Sequence, residues 1–344
     1  MENKKNTYKA LKTQSFSKEN YSIVPICFEN RLQIMQWRNE QMYHLRQTKV
    51  LTEKDQDLYF KNTVSKLFEQ EKPNQILFSY LKGNIPIGYG GLVHINWDDK
   101  NAEISFIMDT SLEKEYFDFH WKTFLSLVEK VAFNELGFHK IFTYAFDLRP
   151  HLYTALEESK YVKEAILKDH CFYNNEFRDV IIHSKINIVI NFRKVEKEDV
   201  RLLFDWSNDT ITRHNSYQPE EINFSDHEKW FNNKVNDKNS LLLIGTINNK
   251  SVGLVRFDIE QENSTIGISI DKNYRGKKLA SKLLIEASKI YFQEFTIPIL
   301  AYIKKKNIAS IKSFEKSGFS YYKEEKINQI DSYVYKLEQY DTIR

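Results

Sequence analysis

The stretch from Gly267 to Ala280 concentrates the residue types that bind anions. Gly267-Ile268-Ser269-Ile270-Asp271 reads as a strand ending on an acid, Lys272-Asn273-Tyr274-Arg275-Gly276-Lys277-Lys278 as a short basic loop with one glycine, and Leu279-Ala280 as the start of a helix. Free backbone N–H groups and the positive end of a helix meet Arg and Lys side chains there, an arrangement suited to a pyrophosphate. A solvated basic turn before an ordinary helix would account for the lysines, though not for the strand–loop–helix context. Further on, the apolar strand Ile299 to Ile303 runs into Asn307-Ile308-Ala309-Ser310 and then Phe314-Glu315-Lys316-Ser317-Gly318-Phe319.

Such a loop needs a strand to deliver it and a helix to begin at it. Ser281 to Phe292 places Leu283, Leu284, Ala287, Ile290 and Tyr291 at helical spacing. Asn248-Asn249-Lys250 and Lys82-Gly83-Asn84 read as hairpin turns. The same plan occurs twice in the chain. Trp37-Arg38-Asn39 is echoed by Trp206-Ser207-Asn208, Tyr59-Phe60 by Trp230-Phe231, and Ile76-Leu77-Phe78 by Leu241 to Ile244. Ile85 to Gly88 is echoed by Ser251-Val252-Gly253, and Glu103 to Asp109 by Thr265 to Asp271. Equivalents lie 169 residues apart at the tryptophans and 162 at the aspartates, as two homologous domains with small loop changes would give. The expected organisation is a polar N-terminal tail over 1–20, a first domain over 21–186 and a second over 187–344. Antiparallel strands followed by strand–helix–strand in each half point to an α+β fold, with a mixed, mostly antiparallel sheet flanked by helices in each domain.

Composition agrees with two domains. The 344 residues exceed one usual core, and 41 % hydrophobic with 14 % aromatic residues can fill two. Charges nearly balance at a formal +3, which argues against nucleic acid or a membrane as partner, so anion binding must be local. The two cysteines, Cys27 and Cys171, form no metal-ligand or disulfide pattern, and no metal is expected. A polar, lysine-bearing start and the lack of any run of about 18 apolar residues lead to the expectation of a cytoplasmic protein.

In order and spacing, Tyr274-Arg275-Gly276-Lys277-x-Leu279-Ala280, Asn307-x-x-Ser310 and Phe314-x-x-x-Gly318-Phe319 resemble the acetyl-CoA-binding core of GNAT-superfamily N-acetyltransferases. The resemblance implies acetyl-CoA as cosubstrate, with Ile268, Ser269 and Ile270 along the pantetheine arm. It places Arg275, Gly276, Lys277, Lys278, Leu279 and Ala280 at the pyrophosphate, and Asn307 and Ser310 beside the thioester and the CoA tail. Lys278 stands where the family usually has Gly. The first domain resembles the same superfamily through Ile85 to Gly91, Ala102 to Asp109 and Ala155 to Tyr161, so the chain reads as two tandem GNAT-like domains. Counted from Asp109, its loop is Thr110 to Asp118, without Gly or Arg and with three carboxylates. Like charges a few ångströms apart repel by about 1 kcal/mol even in bulk water, and ordinary CoA binding is not expected there. Arg149 replaces the family Asn, and Lys160 the Gly.

Amine acetylation needs a neutral amine, a group or water chain to take its proton, and donors for the oxyanion. Family members often place a Glu on the strand before the loop and a Tyr before the final Gly-Phe. The second domain has Thr265 and Phe314 there, whereas the first keeps Glu103 but lacks the loop. The substitutes are Asp258 and Glu260 as bases and Tyr302 as acid, each of which also reads as a structural residue. The stretch containing Trp206, Arg213 and His227 is similar to acetyltransferases of nucleotide-linked amino sugars in pseudaminic-acid-type pathways, and more distantly to ribosomal-protein N-terminal acetyltransferases. That resemblance implies a primary amine on a nucleotide sugar of surface glycan synthesis as acceptor. Arg213 suits its phosphate by bidentate pairing. Trp206 also reads as core, and His227 as part of a helix start capped by Ser225. A protein N-terminal acetyltransferase and a non-catalytic CoA-binding or assembly module are the rival readings.

Overall fold

The structure, a computed structural model, describes residues 6–339. The chain divides into two compact units, Met1–Asn187 and Ile188–Arg344.

In the first unit β1 (Phe16–Lys18) and β2 (Tyr21–Pro25) are followed by α1 (Arg31–Glu40), α2 (Glu53–Tyr59) and α3 (Ser65–Glu69). Then come β3 (Ile76–Lys82), β4 (Ile85–Asn96), β5 (Asn101–Met108), α4 (Thr110–Glu129), β6 (Lys140–Phe146), α5 (Pro150–Glu158), β7 (Val162–Tyr173) and β8 (Glu176–Ile186). Among the described residues these strands form one eight-stranded sheet in the order β1-β2-β3-β4-β5-β6-β8-β7. Its neighbours run antiparallel except β5 and β6, which are parallel.

The expected polar tail is not a tail where it is described. Tyr8 and Leu11 are buried in the core, the Tyr8 hydroxyl donates to Leu77 O at 2.9 Å and accepts from Leu77 N at 2.8 Å, and β1 pairs with β2. The anchoring residues are too few and too irregularly spaced to show a period, so polar composition concealed them. Residues 1–5 of that expected tail lie outside the described residues.

The second unit runs β9 (Asn191–Lys194), α6 (Val200–Ser207), α7 (Thr210–Asn215), α8 (Phe224–Asn236), β10 (Ser240–Ile247), β11 (Lys250–Ile259) and β12 (Ser264–Ile270). It continues with α9 (Leu279–Glu294), β13 (Ile299–Lys304), α10 (Ile308–Glu315), β14 (Ser320–Ile327) and β15 (Ile330–Leu337). The described strands form one seven-stranded sheet, β14-β15-β13-β12-β11-β10-β9, in which β12 and β13 are the parallel pair. Asn248 and Asn249, at φ 49° and 61°, make the tight turn between β10 and β11, as their tolerance of the left-handed region allows. Alternation along the strands gives the sheet two apolar faces. Val255, Phe257 and Ile266 pack with Leu283, Leu284 and Tyr291 of α9. Leu242 and Leu254 meet Leu203 and Trp206 of α6 and Phe231 of α8 on the other face. Each large apolar side chain buried this way contributes about 1.5–3 kcal/mol. Both units thus have the α+β plan read from the sequence.

Candidate active site

β12 pairs with β11 along its whole length, yet with β13 only at Ser264↔Ile299 and Thr265↔Leu300. Beyond Thr265 the parallel strands diverge, and the β13-side edge of Ile266 to Ile270 is left open. Ile268 and Ile270 pack towards α9, whereas Ser269 stands opposite Leu254, a member of the cluster under α6 and α8. The split is therefore bounded by α9 on one face and by α6–α8 on the other.

The loop after β12 is shaped from within. The Asp271 carboxylate accepts from its own turn, Asn273 N at 2.8 Å, and from Trp206 Nε1 at 2.9 Å. Trp206, expected around an acceptor, holds the head of this loop. Gly276 has φ 74° and Lys278 φ 58°, ψ 25°; the chain reverses there before α9 begins at Leu279. A side chain in that region costs about 1–2 kcal/mol, which is why glycine suits the family position now held by Lys278. No side chain caps α9, so the orphan amides of its first turn remain open beside the exposed Lys277 and Lys278. Lys277 Nζ lies 5.0 Å over the Tyr274 ring.

Arg275 turns inward. Its Nη1 meets Asp209 Oδ1 at 2.6 Å, Nε donates to Ile270 O at 3.0 Å and Nη2 to Thr212 Oγ1 at 3.3 Å. Asp209 also caps α7 through Ile211 N and Thr212 N. Burial alone would raise the Asp209 carboxyl, but Arg275 and these amides hold it below the usual range. The Arg275 guanidinium, expected among the phosphate ligands, sits in the frame of the loop.

The first unit has the same split, since β5 pairs with β6 only from Asn101↔Lys140 to Glu103↔Phe142. Its loop is gone. The segment Thr110 to Asp118, counted as a loop from the sequence, forms the opening turns of α4, with Asp109 accepting from Ser111 N at 2.9 Å as its cap. Glu113 in the first turn pairs with Arg149 Nη1 at 3.0 Å, both side chains mostly buried. Two departures from the family pattern therefore compensate one another, a pairing 36 residues apart with no local sequence signal. Glu103 is neutralised by Arg46 Nη2 at 3.0 and 3.2 Å.

The other candidates are dispersed. Asp258 on β11 opposes Thr265 and is paired with Lys234 Nζ at 2.7 Å. Glu260 is exposed in the turn after β11. Tyr302 is half-buried on β13 just past the split, and burial, then the Glu325 charge, raise its phenol, so it is protonated at neutral pH. Asn307 accepts from Ser310 N at 3.1 Å and so caps α10. Arg213 donates to Ser207 O at 2.6 Å, Gln218 O at 3.0 Å and Glu220 O at 3.3 Å, which staples the chain between α7 and α8. His227 is 2 % exposed, wedged against Phe204 and Trp230, and kept neutral by burial. The cap of its helix is Asn223, accepting from Asp226 N at 2.9 Å, and not Ser225. Arg256, which sequence reasoning passed over, lies exposed on the α6–α8 face, against Gly267 and 5.7 Å from the Trp230 ring. Among the described residues no group of three His, Cys, Asp or Glu side chains could hold a metal ion, and no helix is long and apolar enough to cross a membrane.

No curated protein matches the chain. Among solved structures, it is similar to a spermidine N-acetyltransferase from Vibrio cholerae in complex with CoA and spermine, at 17 % identity over 45 % of this chain and 98 % of that one, TM-score 0.42. It is also similar to an aminoglycoside acetyltransferase in complex with coenzyme A, at 15 % identity over 44 % and 96 %, TM-score 0.41. An uncharacterised protein from Bacillus halodurans shows 24 % identity over 44 % and 86 %, TM-score 0.41. A family model described as "Acetyltransferase (GNAT) domain" matches residues 190–320, and a second of the same description matches residues 31–182. With one such match on each sheet unit, the chain carries two GNAT acetyltransferase domains in tandem and is an acyltransferase of the N-acetyltransferase type.

Proposed function

We propose that the second unit transfers an acetyl group from acetyl-CoA to a primary amine, and that the first unit does not take acetyl-CoA. The contrast between the two helix starts carries this reading. α9 opens uncapped behind a basic loop, whereas α4 follows its strand directly, capped by Asp109 and carrying Glu113 in its first turn. The α9 amides, with the Lys277 ammonium and the Lys278 backbone, would hold the pyrophosphate, and the open edge Ile266 to Ile270 would pair with the pantetheine arm. The cosubstrate brings the acetyl group as an activated thioester. Tyr302, protonated and beside the split, would give a proton to the departing sulfur. Asp258, tied to Lys234, would receive the amine proton through water.

For the acceptor we favour an amino-sugar nucleotide, on the resemblance of the stretch from Trp206 to Phe231 to enzymes of pseudaminic-acid-type pathways. Arg213 and His227 would then frame the acceptor face, and Arg256 would meet the phosphate. The test is an acetyl-transfer screen of the full chain against amino-sugar nucleotides and N-terminal peptides, following CoA release. Turnover is expected with a sugar nucleotide and should fall at least about tenfold in Arg256→Gln. Turnover on peptides alone would overturn the acceptor; tight CoA binding without turnover on any amine would overturn the transfer.

A further inference from the structure

The split in the first sheet encloses a cavity of about 440 Å³, within the range of small-molecule sites. One wall is aromatic, with Phe106 and Trp121 stacked at 5.2 Å and 18°. Two polar atoms on lining side chains have no partner: Trp121 Nε1 and Thr143 Oγ1, on residues 3 % and 4 % exposed. A buried polar group left unsatisfied is destabilising, and such groups are filled when a ligand oxygen reaches them.

The charges of the cavity do not balance. Arg46 is matched by Glu103, Arg149 by Glu113, and Asp55 by Lys49 at 3.7 Å. Arg38 also lines the cavity, yet its partners are neutral: Gln47 Oε1 at 3.0 Å and the Tyr89 hydroxyl at 2.7 Å. Among the described residues no carboxylate pairs with it. His44, in the same wall, is pushed down to about 3 by burial and by Arg149, so it is neutral and the surplus charge is that of Arg38. A guanidinium drawn into a low-dielectric wall calls for a counter-charge.

We infer that the first unit is a ligand-binding domain whose cavity takes a small oxygenated carboxylic acid. The carboxylate pairs with Arg38, a second oxygen accepts from Trp121 Nε1 and Thr143 Oγ1, and the acid's apolar body lies along the rings. The site is separate from the acetyl-CoA site proposed for the second unit and stands or falls without it.

The experiment uses the full chain saturated with CoA. Phenylpyruvate, 4-hydroxyphenylacetate and 2-oxohexanoate are compared with their primary amides by saturation-transfer NMR and calorimetry. At least one acid should bind saturably and its amide should not. Arg38→Gln should weaken that acid about tenfold or more. Thr143→Val removes a hydroxyl that has no partner, so the melting temperature should hold or rise, while acid binding weakens by about tenfold, roughly 1.4 kcal/mol. No binding by any acid, equal binding of acids and amides, or unchanged affinity in both variants would overturn the proposal. Binding seen only when CoA is withheld would assign the acids to the CoA site and overturn it as well.

Discussion

Arg275 and Lys277 stand two positions apart in one basic loop and serve it by different means. Arg275 is locked to Asp209, Ile270 O and Thr212, whereas Lys277 is exposed. Arg275→Ala and Asp209→Ala should each weaken CoA binding, and the double variant little further than either alone, because both remove one structural pair. Lys277→Ala should add to either, and its effect should fade as salt rises through the range that screens exposed charges. Calorimetry at two ionic strengths checks this; additivity between Arg275 and Asp209 would return Arg275 to the phosphate. The Asp209 carboxyl is held below its ordinary value of 3.8, so the contribution of this pair to stability is complete above that pH and lost only as pH falls through the lower folded value. At neutral pH it is constant. Gly276→Asp combines a strained φ of 74° with a carboxylate at the loop, and should lower CoA affinity at least about tenfold, or 1.4 kcal/mol, with circular dichroism intact. The residue types of this loop were legible in the sequence because a strand–loop–helix turn is local in the chain. The pairing of Arg275 with Asp209 and Thr212, and of Trp206 with Asp271, was not, since each is a contact that the tertiary fold creates.

At the scale of elements, the difference between the units lies in how a helix begins. α9 starts after a reversal through Gly276 and Lys278, and α4 starts two residues after Met108, the last of its strand, with Asp109 between them as cap. Asp109→Ala should destabilise the first unit by about 1 kcal/mol, the usual value of an N-cap, without conferring CoA binding. Lys278→Gly should leave CoA affinity within a few fold and raise stability by up to about 1 kcal/mol, because it relieves a left-handed side chain. Denaturant melts with CoA titrations measure both; a large loss of affinity in Lys278→Gly would mean that its ammonium, and not only its backbone, binds phosphate. The repeat, the hairpin turns and the strand–helix–strand unit were readable because period and turn chemistry are local. The opening of α4 was misread by counting from Asp109 as if a loop had to follow. Asp109 followed by Thr110-Ser111-Leu112-Glu113-Lys114-Glu115, with an acid in the first turn and no glycine, is itself a helix-start signal. Tyr8, Leu11 and Phe16 escaped for the opposite reason: isolated apolar residues acquire meaning only from the core that receives them.

At the scale of the whole molecule, the units bury different titratable groups, and acid should tell them apart. Burial, as the leading cause, lowers His44, His120 and His183 in the first unit, with His44 reaching about 3. In the second unit the same cause lowers His227. A histidine whose folded pKa is depressed adds stability that is fully present above its ordinary value of 6.5. As pH falls below that value the unfolded chain takes up a proton that the native fold refuses, and stability drops by up to about 1.4 kcal/mol per pH unit for each such group until the folded pKa is reached. Three groups outweigh one. The second unit's lowered carboxylates, Asp199 and Asp209, begin to lose their contribution only below about 3.8, so they do not offset this between pH 6.5 and 5. Limited thermolysin digestion of the full chain at pH 7 and pH 5, mapped by mass spectrometry, should show first cuts within residues 6–187 at the lower pH. His44→Gln, which keeps a neutral polar side chain without a site to protonate, should narrow the difference between the two pH values. Earlier cleavage in the second unit, or equal cleavage in both, would mean that buried histidines do not set the acid limit of the first.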